Sequence, residues 1–451
     1  MTDIKNPEPS GEPQTSGSIR QKNVFTFVLI LGAQYILAFV TAPLIARILG
    51  PTDRGRLTFF FTIPQWAIVV LGFGAPQALT YLVASRHFSK SQSLSAAFTV
   101  LLTLAGLILI LTLAALFFWS PALSRLTRTE VILLPILSFA SIALVMLLAV
   151  LLGLQRTIDY YLFQLLTPLL FFGSLVGLFL TRRFVYLSVV ETYTAVMIAS
   201  CAVIAYWLIK QLGFSLKVSL NLWRPILGYG LKIYVGSILS LVIVRMDVFF
   251  VAAFLGFTAL GFYAIAVQLA EVVYRVAGIF ATIRLPETAS GSKADADQTF
   301  PAVSRQLILL SIVGVLIVAL GGFAFIRIWL PAFGPSIPAL MLLLPGSAFL
   351  GLANLYFAEL GGRGRAGYGS TIIAINSVTM IVLDFLIIPV WGINGAALVS
   401  TVVYAMGFVF SVYALHRESS IPFLDLVVVR PKDFLVYKTL IRSMSIRGHQ
   451  I

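Results

Sequence analysis

Long apolar stretches, broken by short polar turns, recur twelve times along the chain, at residues 24–46, 57–84, 94–119, 131–154, 159–181, 187–210, 228–255, 261–282, 306–327, 338–360, 368–390 and 393–415. A helix rises about 1.5 Å per residue, so roughly 20 apolar residues cross a hydrocarbon layer about 30 Å thick. Lipid offers no partner to a backbone amide or carbonyl, so each stretch must satisfy its own polar groups as a helix. The alternating apolar and polar pattern of a membrane β-barrel is absent. The pattern predicts an all-α polytopic membrane protein with about twelve transmembrane helices.

One short motif occurs twice. Leu49-Gly50-Pro51-Thr52-Asp53-Arg54-Gly55 returns 206 positions later as Leu255-Gly256-Phe257-Thr258-Ala259-Leu260-Gly261, and Ala46 matches Ala252 at the same offset. Both copies close one apolar run and open the next. The offset is near half the apolar span, as a duplicated transporter half would give. A duplicated bundle places its binding site between the halves. The expected organisation is a disordered cytoplasmic tail at 1–23, a six-helix bundle at 24–210, a cytoplasmic linker at 211–227, a second bundle at 228–415 and a tail at 416–451. In that last tail Phe434, Leu435, Tyr437, Leu440, Ile441 and Met444 recur at near-helical spacing among Lys432, Lys438 and Arg442. It reads equally as a basic amphipathic helix on the inner leaflet or as a partly ordered basic tail.

Composition supports this reading: the chain is 59% hydrophobic and 11% charged. Its net charge of +14 raises the question of nucleic acid. With the N-terminus inside, however, 22 of the 31 Lys and Arg fall in cytoplasmic loops, tails and the helix ends adjoining them, and 8 on the other side. That asymmetry is the positive-inside signal, so both termini are expected in the cytoplasm and no nucleic-acid partner is expected. Cys201 is the single cysteine, and His87, His416 and His449 lie outside the helix cores, so neither a disulfide nor a metal site is expected. The chain has no GxxxxGK[ST] phosphate loop, Ser-His-Asp set or paired catalytic carboxylates, and its loops leave no room for a catalytic domain. Neither a catalytic residue nor a cofactor is expected.

Charges at lipid depth carry the candidate chemistry. Arg245 and Asp247 lie two-thirds along one predicted helix. A charge in hydrocarbon costs several kcal/mol unless it is paired or faces water, and i, i+2 spacing points the two roughly 200° apart. Each therefore needs a partner elsewhere or a hydrated cavity. Glu271 and Arg275 stand at i, i+4, where a direct ion pair and a cavity role are both open, and Gln268 adds a polar position to that stripe. Asp384, five residues before Pro389, suits proton uptake and release, or a salt bridge to a neighbouring helix. Glu359, beside the Gly361–Arg365 loop, reads as interfacial. Arg47, Arg54 and Arg56 flank the first motif and read as snorkelling anchors or as a basic outer mouth meeting phosphate. The breaks at Pro64, Gly72, Gly74 and Pro76 could bend the second helix around a cavity.

Three segments carry a family resemblance: ARILGPTDRGRL, RMDVFFVAAFLGFTALGFYAIAVQLAE and IIPVWGINGAALVSTVVY. The first resembles the aRxLGPxxxG signature of bacterial polysaccharide transporters. The second resembles their seventh and eighth helices, and the third the start of their last helix. The chain thus resembles the oligosaccharide flippase (Wzx-like) family of the MATE-related superfamily, over about residues 24–415. The resemblance implies two six-helix bundles in a V. It also implies flipping of an undecaprenyl-pyrophosphate-linked oligosaccharide across the bacterial inner membrane, for lipopolysaccharide O-antigen or exopolysaccharide synthesis. Expected partners are the lipid-linked glycan, membrane lipids, H+ or Na+ as coupling ion, and a polysaccharide polymerase or glycosyltransferase. Candidate substrate contacts are Arg245, Asp247, Gln268, Glu271 and Arg275, with Asp384 and Asp247 as ion-coupling candidates. The rival readings are a MATE-type ion-coupled exporter of small cations and a lipid II flippase, whose family usually has two further helices. An O-antigen polymerase or ligase would show a large outer loop, and none is visible.

Overall fold

The computed structural model describes residues 16–118, 127–213, 219–290, 292–431 and 433. Its long helices are α1 (Ser16–Val70), α2 (Ala75–Ala84), α3 (Lys90–Phe118), α4 (Arg128–Gly153), α5 (Thr157–Leu180), α6 (Tyr186–Leu212), α7 (Trp223–Ser290), α8 (Lys293–Trp329), α9 (Ser336–Gly362) and α10 (Ala366–Glu418), followed by a short α11 (Phe423–Val427). Among the described residues nine helices are long and apolar enough to cross a membrane. Three of them are bent back by one glycine each: Gly50 (φ 78°, ψ 178°), Gly256 (φ 81°, ψ 178°) and Gly392 (φ 60°, ψ −146°). A side chain is strained at such φ, so glycine turns the chain there. The breaks divide α1, α7 and α10 into halves a and b, on either side of residues 50, 256 and 392, and give twelve crossings. The second crossing is α1b plus α2, interrupted between Val70 and Ala75, where Phe73 and Gly74 both take positive φ.

Residues 16–23, assigned by composition to the disordered tail, are helical, because Ile19, Arg20, Gln21 and Lys22 are good helix formers continuing the apolar run. Residues 1–15, Lys432 and residues 434–451, including the amphipathic pattern of the C-terminal tail, lie outside the described residues.

Helices α1 to α6 form one lobe, with Leu79, Ala97, Met146 and Ile204 in one core cluster and Leu57, Leu137, Leu175 and Val190 in another. Helices α7 to α10 form the second, around Tyr263, Leu340 and Ala396 and around Phe300, Tyr356 and Leu415. The lobes meet where the two motif copies lie, called here the motif end. A Cβ on Gly55 would collide with the carbonyl oxygen of Phe257, and one on Gly261 with that of Pro51. These contacts exchange under the 206-residue offset, so the motifs pack about a pseudo-twofold axis. Ala46 joins the core of the second lobe.

At the opposite, tail end, one seam between the lobes is also shut. Gly74 and Gly230 pack backbone to backbone, the Tyr81 and Tyr229 rings stack at 4.2 Å, and the Tyr234 hydroxyl donates to the Val70 carbonyl at 2.8 Å. Glu359 is fully buried here, inside the protein. It accepts from Arg284 Nε at 2.8 Å, Thr288 Oγ1 at 2.7 Å and Arg363 Nε at 2.9 Å. Its position in the last turns of α9, covered by α7b, makes it a staple of the second lobe.

Candidate functional site

A cavity of about 490 Å3 lies between the lobes, walled by α1, α4, α5, α6 and α7. Most of its lining is apolar, and its polar groups come from two stripes. Arg54, Thr58, Thr62 and Gln65 on α1b follow helical spacing and share one face. Gln268 and Glu271 on α7b, with Arg245 on α7a, face them.

Arg54 is placed differently from expectation. Because the chain breaks at Gly50, α1b starts at Pro51 and Arg54 lies one turn inside it, lining the cavity rather than the outer surface. Its Nη2 donates to Gln268 Oε1 at 3.1 Å, while its Nε is buried without a partner. Among the described residues no carboxylate pairs with it. Arg245 also lines the cavity, but Glu271 Oε1 sits 2.8 Å from its Nη2, and its Nε donates to Gln65 Oε1 at 3.3 Å. Both arginines thus reach across to a neutral glutamine on the other lobe. Glu271 takes a second cation, Arg275, at 2.6 Å.

Arg275 stands outside the main cavity, in a side cleft of about 510 Å3 that opens between α1a, α5 and α7b. Gln34, Gln164 and Gln268 supply that cleft with amides, and Gln268 and Glu271 belong to both spaces. The side cleft and the cavity therefore share a wall, at Ala38, Pro168, Gln268 and Glu271.

Asp247 does not line the cavity, contrary to its sequence reading. The i, i+2 spacing from Arg245 turns it into the second lobe, where Val248 N donates to Oδ1 at 2.8 Å and the Tyr263 hydroxyl to Oδ2 at 2.6 Å. It borders a narrow void with Ser347, Ser400 and Tyr404. Asp384, on α10a, is fully buried, and neither of its oxygens has a hydrogen-bond partner.

The other two arginines of the first motif leave the site. Arg56 pairs with Glu130 at 3.4 Å and Asp53 at 3.9 Å and lies over the Tyr186 ring. Glu130 is buried in the capping box of α4 and receives the Tyr186 hydroxyl, so this group ties α1b, α4 and α6 together within the first lobe and is no mouth. Arg47 is exposed, over the Trp329 ring at 5.6 Å. Gln65 was missed in the sequence, although an amide following Pro64 in an apolar run was the available signal.

Two helical lobes of six crossings each, related by a pseudo-twofold axis about a largely apolar cavity with two polar stripes, define the class of fold. The chain belongs to the polysaccharide biosynthesis protein family, whose model matches residues 21–286. It is 23% identical over 213 residues to an uncharacterized membrane protein, MJ1068, of Methanocaldococcus jannaschii. That alignment covers 46% of this chain and 42% of the relative, so the chain spans less than half the length of the curated relative it matches. Its fold is similar to that of the lipid II flippase MurJ in an inward closed conformation, with TM-score 0.69, 15% identity, and coverage of 88% of this chain and 89% of the other. It is also similar to an inward-facing multidrug resistance MATE transporter, with TM-score 0.65, 16% identity and coverage of 85% and 94%. For an outward-facing MATE structure the score is 0.58, at 16% identity and coverage of 87% and 94%.

Proposed function

We propose that this protein flips a lipid-linked oligosaccharide, carried on undecaprenyl pyrophosphate, across the bacterial inner membrane with both termini in the cytoplasm. The observation that carries the reading is Arg54: a half-buried cation in the cavity whose Nε is buried without a partner and which has no carboxylate partner among the described residues, beside the Gln268 wall that the cavity shares with the side cleft. A partly desolvated cation without a counter-charge is costly, and a phosphate oxyanion is the complement it lacks. The pyrophosphate would enter past Arg275 and Gln268, with the prenyl chain left in the bilayer outside α1a and α7b. An oxyanion accepts from arginine about twice as strongly as a neutral amide does. It would therefore displace Gln268 from Arg54 and Gln65 from Arg245, removing two bonds that tie the lobes together. Asp384 and Asp247 would carry the coupling cation, H+ or Na+, inside the second lobe.

Glu271 favours a second reading, the export of small cations, since it is an acid in the cavity. Two arginines face that one acid there, which leaves a formal charge of +1. Reconstitution separates the two. Proteoliposomes should flip a fluorescent undecaprenyl-pyrophosphate-linked oligosaccharide, and Arg54→Gln should lose that activity at matched insertion. Transport of an organic cation without flipping of the glycan lipid would overturn the proposal.

A further inference from the structure

On the far side of the second lobe, at the tail end, α10a and α10b diverge around a cleft of about 760 Å3 that shares no residue with the inter-lobe cavity. Its rim is basic. Arg417 is exposed, lies over the Tyr413 ring at 5.7 Å, and has no carboxylate partner among the described residues. Arg365 pairs with Glu418 at 2.8 Å, and Tyr368 donates to the other oxygen of that carboxylate at 2.9 Å. Glu418 is thereby taken up by Arg365 and Tyr368, so the rim keeps one uncompensated positive charge. The walls below it are apolar and exposed: Ile375 at 46% and Phe410 at 37%.

We infer that this cleft is a binding site for an anionic glycerophospholipid of the surrounding bilayer. The phosphodiester would sit against Arg417 and the free edge of Arg365, and one acyl chain would run down past Ile375 and Phe410. Three features single out this occupant. The positive rim stands over an apolar wall, which matches a head group above a chain. Tyr368 and Tyr413 lie at the level of the charges, where amphipathic rings favour the membrane interface. Basic pockets between helices at this depth also select anionic head groups over zwitterionic ones. The site rests on the reading of the chain as membrane-spanning and is independent of what the central cavity carries.

Native mass spectrometry and thermal unfolding of the full chain in nanodiscs test it. Phosphatidylcholine alone is compared with phosphatidylcholine containing phosphatidylglycerol. The wild type should retain phosphatidylglycerol through collisional activation and unfold at a higher temperature in its presence. Arg417→Gln should weaken retention about fivefold, the effect of one interfacial charge. Ile375→Trp, which fills the cleft without changing charge, should do so as well. Lys210→Gln, an exposed charge at the same end outside the cleft, should change nothing. Equal behaviour in both lipids, or equal losses in Arg417→Gln and Lys210→Gln, would overturn the site. So would displacement of phosphatidylglycerol by the undecaprenyl-pyrophosphate glycan, which would make the cleft part of the transport path. A failure of glycan flipping would leave these outcomes unchanged.

Discussion

Thr52 and Thr258 share a hydrogen bond between their hydroxyls, at 2.8 Å, although 206 positions separate them. Each occupies the same place in its own copy of the repeated motif, so the bond lies on the pseudo-twofold axis. Gly55 and Gly261 make that approach possible, since a methyl group on either would strike the opposite backbone. The contact is self-complementary in the manner of a two-fold dimer interface. It keeps the motif end shut.

The first prediction concerns that closure. A Thr52→Cys, Thr258→Cys pair should form a disulfide under mild oxidation, seen as a cross-linked peptide by mass spectrometry, and should halt turnover until reduced. Adding Gly55→Ala should lower the cross-linking yield several-fold by holding the lobes apart. Unchanged yield would mean that the glycine contact does not govern closure.

Arg54→Gln should weaken binding of a phosphate-bearing lipid by about tenfold or more, the scale of one hydrogen bond to a charged group. Arg54→Lys should recover part of it, since a point charge remains although the two-pronged geometry is lost. Gln268→Glu should act in the opposite sense: it places a carboxylate 3.1 Å from Arg54 across the lobes, so turnover should slow while the motif-end cross-link forms more readily. Binding measured by fluorescence quenching, beside flipping rates, separates the two effects.

Glu271 holds Arg245 and Arg275 at once, so its loss should exceed the loss of either arginine. Glu271→Gln leaves two cations beside one another, whereas Arg245→Gln still leaves Glu271 paired to Arg275. A double-mutant cycle of Glu271 and Arg245, read by thermal unfolding, should give a coupling of about 1–3 kcal/mol. Additive effects would show that the ion pair contributes nothing net.

Asp384→Asn keeps side-chain volume and removes the charge. An acid whose surroundings differ between two lobe arrangements binds its cation unequally in them, and that difference couples the ion to the transition. Flipping in proteoliposomes should therefore respond to an imposed pH or sodium gradient in the wild type and lose that response in the variant. Normal, gradient-independent flipping by both proteins would leave Asp384 a structural residue.

Topology is checked directly. Reporter fusions at 55, 257 and 334 should read as outside, and those at 90, 217 and 293 as cytoplasmic. A cytoplasmic signal at 257 would reverse the orientation drawn from the basic residues.

The twelve crossings were legible in the sequence because lipid demands length and apolarity of each one separately. The repeat was legible for a related reason: a glycine at positive φ cannot be exchanged freely, so Gly50 and Gly256 mark the same turn twice. Charge placement was less legible. The reach of Arg54 into the cavity depends on the turn at Gly50 and on the phase of α1b against the other lobe. Asp247 turned inward through spacing that was visible in the chain, but its Tyr263 partner came from another crossing. The burial of Glu359 was not legible because Arg284 and Thr288 reach it only after α7b has packed on α9, whereas Arg363 stands four residues on in the chain.

The glycine pair of the shut seam at the tail end does not recur in the repeat. Gly74 and Gly230 touch there, but 206 positions away the chain carries Phe280 and Val24, side chains too bulky for two backbones to meet in that way. One seam works as the spine of a book and the other as its fore-edge. In the proposed flippase a spine of glycines would let the halves pivot without parting and would keep bilayer lipids out behind the cargo. Under that proposal traffic would be confined to the fore-edge, where a long prenyl tail would stay outside the pages.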